Sequence, residues 1–125
     1  MCKKVLIVED FDEQRFLIER MINKKFNLEY MGVASADEAL ALLDTFEFYC
    51  VITDISMPFK SGHHVVRYAI KKGIPVIVTT GYEPNMSYVD KKAFACFLKP
   101  INWDNFEATL RELCKMQDLK EVKTA

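Results

Sequence analysis

Asp54 ends the run Tyr49-Cys50-Val51-Ile52-Thr53, and other polar groups stand in the same relation to other apolar runs. The acid pair Glu9-Asp10 follows Val5-Leu6-Ile7-Val8. The hydroxyl of Thr80 comes shortly after Val76-Ile77-Val78. Lys99 follows Phe97-Leu98 and precedes Pro100. In an open parallel sheet the carboxyl ends of the strands share one edge, and ligands bind in the crevice there. Three acids, a hydroxyl and an ammonium then converge on one small site. Such a set can hold a divalent cation and handle a phosphoryl group.

The acids crowd the end of the first run, with Asp12 and Glu13 close behind Glu9 and Asp10. Like charges at this density raise one another's pKa. A divalent cation relieves the conflict, and oxygen donors select a hard ion. Mg2+ takes one or two carboxylates plus phosphate oxygens and keeps several waters. Asp10 and Asp54 are the candidate direct ligands, with Glu9 acting through water. The competing reading is an acidic helix start favoured by the helix dipole. That reading is preferred for Asp12 and Glu13, and for Glu9-Asp10 alone the two readings are evenly matched. A carboxylate such as Asp54 can also attack phosphorus to form an aspartyl phosphate. Alone, an Asp at a strand end is more often a turn residue.

The elements that must position these groups alternate between strand and helix. Val5 to Val8 reads as a strand buried on both faces. Residues 12–25 place Leu17, Ile18, Met21 and Ile22 at helical spacing. Leu28 to Val33 reads as a second, weaker strand. Ser35-Ala36-Asp37-Glu38 is a capping box, opening a helix that buries Ala39, Leu40, Leu43 and Phe46. Tyr49 to Thr53 is the third strand, and 54–62 is a loop with Pro58 and Gly62. His64 to Lys72 is a short helix ended by Gly73, and Pro75 to Thr80 is the fourth strand. A loop over 81–85 leads to a short helix near 86–94. Ala95 to Leu98 is the fifth strand. Asn102 caps a last helix carrying Trp103, Phe106, Leu110 and Leu113.

Strict alternation with short connections predicts an α/β fold. It is a flavodoxin-like, doubly wound (βα)5 arrangement around a five-stranded parallel sheet of order 2-1-3-4-5. Strands 1, 3 and 4 are the most apolar and belong in the centre. One domain over residues 1–118 and a polar tail over 119–125 are expected, with fraying over the polar residues 117–125.

Composition narrows the function classes. The chain has 125 residues, half of them apolar and 28% charged, with net charge −1. That balance excludes a nucleic-acid-coating or polybasic membrane-binding protein. No apolar run approaches the roughly 20 residues of a membrane span, and the stretch after Met1-Cys2-Lys3-Lys4 is too short for a signal-peptide core. Cys2, Cys50, Cys96 and Cys114 form no CxxC pair or zinc spacing. A reduced, cytoplasmic protein without disulfides is expected. The adjacent His63 and His64 have no ligand partner at metal spacing.

The spacing from Asp54 to Met57-Pro58 and Gly62, added to Val8-Glu9-Asp10, Thr80 and Lys99-Pro100, resembles the receiver domain of two-component response regulators. The resemblance spans essentially the whole chain. It implies that Asp54 is the phosphoacceptor, fed by a phosphohistidine on a sensor histidine kinase or histidine phosphotransfer protein. It also implies Mg2+ bound by Glu9, Asp10, Asp54 and the backbone carbonyl of Ser56. Thr80 would be the switch hydroxyl and Lys99 the phosphoryl-pairing lysine, with a cis peptide at Lys99-Pro100. Such a domain is a signalling phosphoacceptor, with at most self-phosphorylation from small donors and autodephosphorylation. It regulates an output partner that the sequence does not name, and weak dimerisation is one possibility.

Two departures qualify the match. The position three before the lysine, usually aromatic, is Cys96, which leaves Phe94 or Phe97 as substitutes for a ring coupled to Thr80. The segment between Thr80 and Lys99 is short, so the fourth helix is expected to be abbreviated or irregular. A phosphorylation-independent interaction module is the alternative function. A phosphatase with an aspartate nucleophile is more remote, because its general-acid Asp would stand where Ser56 does. A flavin site is disfavoured by the acids that follow the first strand.

Overall fold

In the computed structural model, residues 4–124 are described, with side-chain placement through Lys120. Met1, Cys2 and Lys3 lie outside the described residues, as do Ala125 and the side chains beyond Lys120. The strands are β1 (Lys4–Val8), β2 (Glu29–Val33), β3 (Cys50–Asp54), β4 (Val76–Thr80) and β5 (Ala95–Leu98). The helices are α1 (Asp12–Phe26), α2 (Ala36–Thr45), α3 (His63–Lys71) and α4 (Trp103–Thr124). The strands form one parallel sheet in the order β2-β1-β3-β4-β5, as the alternation predicts.

Side-chain alternation along the strands divides the core into two layers. Val5, Ile7, Cys50, Ile52 and Ile77 face Ile18 and Ile22 of α1 and Phe106, Leu110 and Leu113 of α4. Leu6, Val8, Val51, Val76 and Val78 face Ala36, Ala39 and Leu43 of α2 and Val65, Val66 and Ala69 of α3. The central strands are covered on both faces, which explains their unbroken apolar runs.

The helix ends follow local chemistry. Ser35 Oγ accepts the Glu38 N–H at 3.2 Å, opening α2. Asn102 Oδ1 accepts the Asn105 N–H at 3.1 Å, as its capping role predicts. Gly73, at φ 76°, lets the chain leave α3 while Ile74 N–H returns to Ala69 O at 2.9 Å.

Several expectations need correction. Phe46 is not buried by α2: it is the residue at the helix end, 44% exposed, with Lys4 Nζ over its ring at 5.5 Å. Leu17 is 49% exposed, because the buried stripe of α1 is set by Ile18 and Ile22. The segment expected as a helix near 86–94 is a 3-10 helix over Glu83–Tyr88, opened by Pro84 and containing no buried residue. With no apolar face to bury, it cannot gain the packing that sustains an α-helix. The last helix spans Trp103–Thr124. Tyr49 fastens it: the phenol donates to Cys114 O and Asp118 Oδ1, each at 3.1 Å, and Gln117 Nε2 donates to Tyr49 O at 2.8 Å.

Candidate functional site

The carboxyl ends of β1, β3, β4 and β5 bring the sequence-predicted groups to one edge. Parallel pairing sets Val8 beside Thr53, Asp54 beside Thr79, and Thr80 beside Leu98. Glu9, Asp54 and Thr80 are therefore carried on the most buried strands and are themselves nearly inaccessible. Asp10 is exposed. Carboxylate oxygens of Glu9, Asp10 and Asp54 all lie within 4.8 Å of one another.

Lys99 reaches across this cluster. Its Nζ donates to Glu9 Oε1 at 2.6 Å and to Asp54 Oδ2 at 3.3 Å. The other Asp54 oxygen accepts the Ser56 N–H at 3.3 Å. The turn after β1 is held by Arg15, whose guanidinium donates to Glu9 O at 2.8 Å and to Asp12 Oδ1 at 2.7 Å. Asp12 therefore belongs to the start of α1, as its preferred reading has it. The sequence reading assigned no role to Arg15, since a charge on a helix gives no sign of the carbonyl it will meet.

Burial pushes the Glu9 carboxyl up to about 7. The Lys99 ammonium draws it down, and the Asp54 charge adds to the rise. Burial works against the Lys99 ammonium as well. Its hydrogen bond to Glu9 and the Asp54 charge outweigh that, so its pKa lies above the ordinary lysine value. Three carboxylates face one ammonium here. The excess negative charge favours uptake of a proton or a cation, and the donors are all hard oxygens with an open side at Asp10. This set fits Mg2+ better than a thiophilic metal.

Gly62 makes the loop after β3 possible by close approach. A Cβ there would sit 1.8 Å from the Asp54 carbonyl oxygen. Its own N–H donates to Ile55 O at 2.9 Å. Within the same loop Phe59 adopts φ 69° and is fully exposed.

A family model described as the response regulator receiver domain matches residues 5–111. The chain belongs to that family. Its fold is that of the CheY-like receiver domain from Methylobacillus flagellatus, with a TM-score of 0.74 at 20% identity over 90% of this chain and 99% of that one. The response regulator protein TrrA from Thermotoga maritima, in complex with Mg2+ and BeF, is similar at 26% identity. The similarity covers 89% of this chain and 98% of that one, with a TM-score of 0.80. The chemotaxis response regulator CheY4 of Vibrio cholerae is similar at 26% identity, over 90% and 99% of the two chains, with a TM-score of 0.75. No curated protein sequence matches.

Within this receiver domain, the Lys99-Pro100 peptide is cis, as the resemblance implied. The aromatic substitutes for the ring at position 96 are committed elsewhere. Phe97 packs against Phe106 with ring centroids 5.2 Å apart, and Phe94 joins the same cluster with α1 and α4. Cys96 faces the opposite core layer. Thr80 is instead tied to the 3-10 segment: its Oγ1 accepts from Tyr82 N at 3.2 Å and from Asn85 Nδ2 at 3.1 Å. Asn85 carried no signal in the sequence, because only the path of the loop decides what its amide meets. No described helix is long and apolar enough to cross a membrane.

Proposed function

We propose that this receiver domain is a phosphoacceptor in a two-component phosphorelay, with Asp54 as the acceptor. The observation that carries the reading is the Lys99 ammonium shared between Glu9 and Asp54 beside the exposed Asp10. An Asp54 carboxylate oxygen attacks the phosphorus of a phosphohistidine on a sensor kinase or histidine phosphotransfer protein. The phosphorus–nitrogen bond breaks, and its electron pair returns to the imidazole. Asp10, Asp54 and the Ser56 carbonyl would hold Mg2+, with Glu9 acting through water. When bound, the cation supplies shielding of the phosphoryl oxygens as the anionic groups approach.

The product carries about −1.5 to −2 charges and several strong acceptor oxygens. Lys99 can pair with one oxygen, and the Thr80 hydroxyl can turn to another. Loop 81–85 and the surface formed by the 3-10 segment, β5 and α4 would follow Thr80, a local charge change biasing a larger face. Phe11 and Tyr82 are 59% and 61% exposed, and with Phe59 they stand on three loops at this edge, where they offer apolar contact to the donor. Cytoplasmic location fits this chemistry, and the output partner and any weak dimer would use the switched face. A phosphatase is disfavoured by Ser56, which cannot serve as a general acid.

The test is intact mass after incubation with acetyl phosphate, with and without Mg2+, beside Asp54→Asn. A Mg2+-dependent single phosphoryl adduct absent from the variant is the expected result. An adduct of equal yield in Asp54→Asn overturns the assignment. A folded wild-type protein that takes no phosphoryl group from either acetyl phosphate or a phosphohistidine donor favours the phosphorylation-independent module.

A further inference from the structure

The Asn85 carboxamide bridges two hydroxyls at the mouth of the site. Its Nδ2 donates to Ser56 Oγ at 3.0 Å and to Thr80 Oγ1 at 3.1 Å. An amide nitrogen has two hydrogens, so this bridge uses both. Ser56 lies on the loop after β3 and Thr80 ends β4, so the bridge ties two loops of the site together across the 3-10 segment. Asn85 is itself placed by its backbone N–H, which donates to Tyr82 O at 3.0 Å.

Thr80 Oγ1 is saturated in this arrangement. It accepts from Tyr82 N and Asn85 Nδ2 and donates to Tyr82 O at 3.4 Å. A hydroxyl has one hydrogen and two acceptor positions, and all are engaged. None of these contacts is with Asp54. Turning the hydroxyl toward a group on Asp54 therefore requires giving up bonds that now hold it on the loop side.

We propose that Asn85 is a positioning residue: its bridge between Ser56 and Thr80 restrains the switch hydroxyl in the unphosphorylated arrangement and raises the cost of the switch. This rests on the phosphoacceptor reading for its consequence, but the restraint itself exists without phosphate. The two rings that could stand in for the missing aromatic, Phe94 and Phe97, pack on the α1 and α4 side instead. The amide thus supplies, through hydrogen bonds, the resistance to be overcome on activation.

Two readouts test this in Asn85→Ala and in the near-isosteric Asn85→Leu. The first is the set of three-bond NMR couplings that report the Thr80 χ1 angle in the phosphate-free protein. A single rotamer in the wild type and averaging in both variants is expected. The second is affinity for beryllium fluoride in the presence of Mg2+, followed by amide shifts. Losing one net hydrogen bond of about 1 kcal/mol from the resting state should tighten binding about fivefold. In a Thr80→Val background that gain should vanish, because Asn85 acts through the hydroxyl. Unchanged couplings and unchanged affinity in both variants, with normal wild-type binding, overturn the restraint and leave the phosphoacceptor reading standing. Wild-type protein that binds no beryllium fluoride overturns the phosphoacceptor reading and the proposed switching cost. The Thr80 couplings then still decide whether the bridge restrains the hydroxyl.

Discussion

Replacing Gly62 by alanine should disrupt the site without touching any of its chemical groups. Gly62 has φ −62° and ψ −13°, a conformation that alanine adopts freely, so backbone strain does not enter. The obstacle is the Asp54 carbonyl oxygen, 1.8 Å from an added Cβ, with the Asp54 carbonyl carbon at 2.8 Å. Contacts under 3.0 Å are essentially never sustained, so the oxygen contact must open by at least 1.2 Å, from 1.8 to 3.0. The obstructing atoms are backbone at the end of a central strand and have no flexible tip to swing away. Overpacking of this kind costs typically 1–3 kcal/mol, about the upper half of which applies to a rigid neighbour. The Gly62 N–H bond to Ile55 O would be distorted as well, for roughly 1 kcal/mol more. The expected loss is about 3–4 kcal/mol. With an m-value of about 2 kcal/mol/M, the urea midpoint should fall by roughly 1.5–2 M. Gly81→Ala is the control, since nothing lies within 4 Å of its added Cβ. Its stability should stay within about 0.5 kcal/mol of wild type. Mg2+ titration of Gly62→Ala should also show weakened binding, because Asp54 must move with its carbonyl. A Gly62→Ala midpoint indistinguishable from that of Gly81→Ala would refute the close-approach argument.

Three further outcomes follow from the charge cluster. Asp10→Asn should weaken Mg2+ binding about tenfold or more in an NMR titration, and unchanged affinity would remove Asp10 from the metal set. Lys99→Ala should still accept a phosphoryl group on Asp54 but lose the accompanying amide shifts in residues 80–85. A normal shift pattern would remove the lysine from the switch. In chelator-treated protein, Glu9 has a folded pKa of about 7 against an ordinary 4.5. The native state binds the extra proton, so stability from this group is complete below about 4.5 and declines as pH rises through about 7. The unfolding free energy from urea titrations should therefore fall between about pH 5 and about pH 8, by up to about 3 kcal/mol. Glu9→Gln should flatten the decline, and an equal decline in that variant would assign it to another group.

The sequence by itself determined the fold class and the assembly of the site. Apolar runs of strand length alternating with helical spacing leave a doubly wound parallel sheet as the compact solution, and that topology delivers residues 9, 54, 80 and 99 to one edge. The caps at Ser35 and Asn102 were equally legible, because capping is a local hydrogen bond between residues three apart. What the sequence could not determine depends on distant neighbours. Leu17 and Phe46 look like core residues from hydropathy, but their exposure is decided by where α1 and α2 lie against the sheet. The helix after β4 is reduced to a 3-10 segment over Glu83–Tyr88 that contains no buried residue and so has no apolar face to sustain an α-helix. The anchoring of α4 was hidden because Tyr49, 65 residues before Cys114 in the chain, supplies the hydrogen bonds that tie residues 114–118 to the start of β3. Tertiary structure alone decided that Lys99 is shared between Glu9 and Asp54, that Gly62 is needed for its lack of a side chain, and that Asn85 meets Thr80. Each of these is a contact within a few ångströms, and residue type and spacing along the chain do not set distances of that scale.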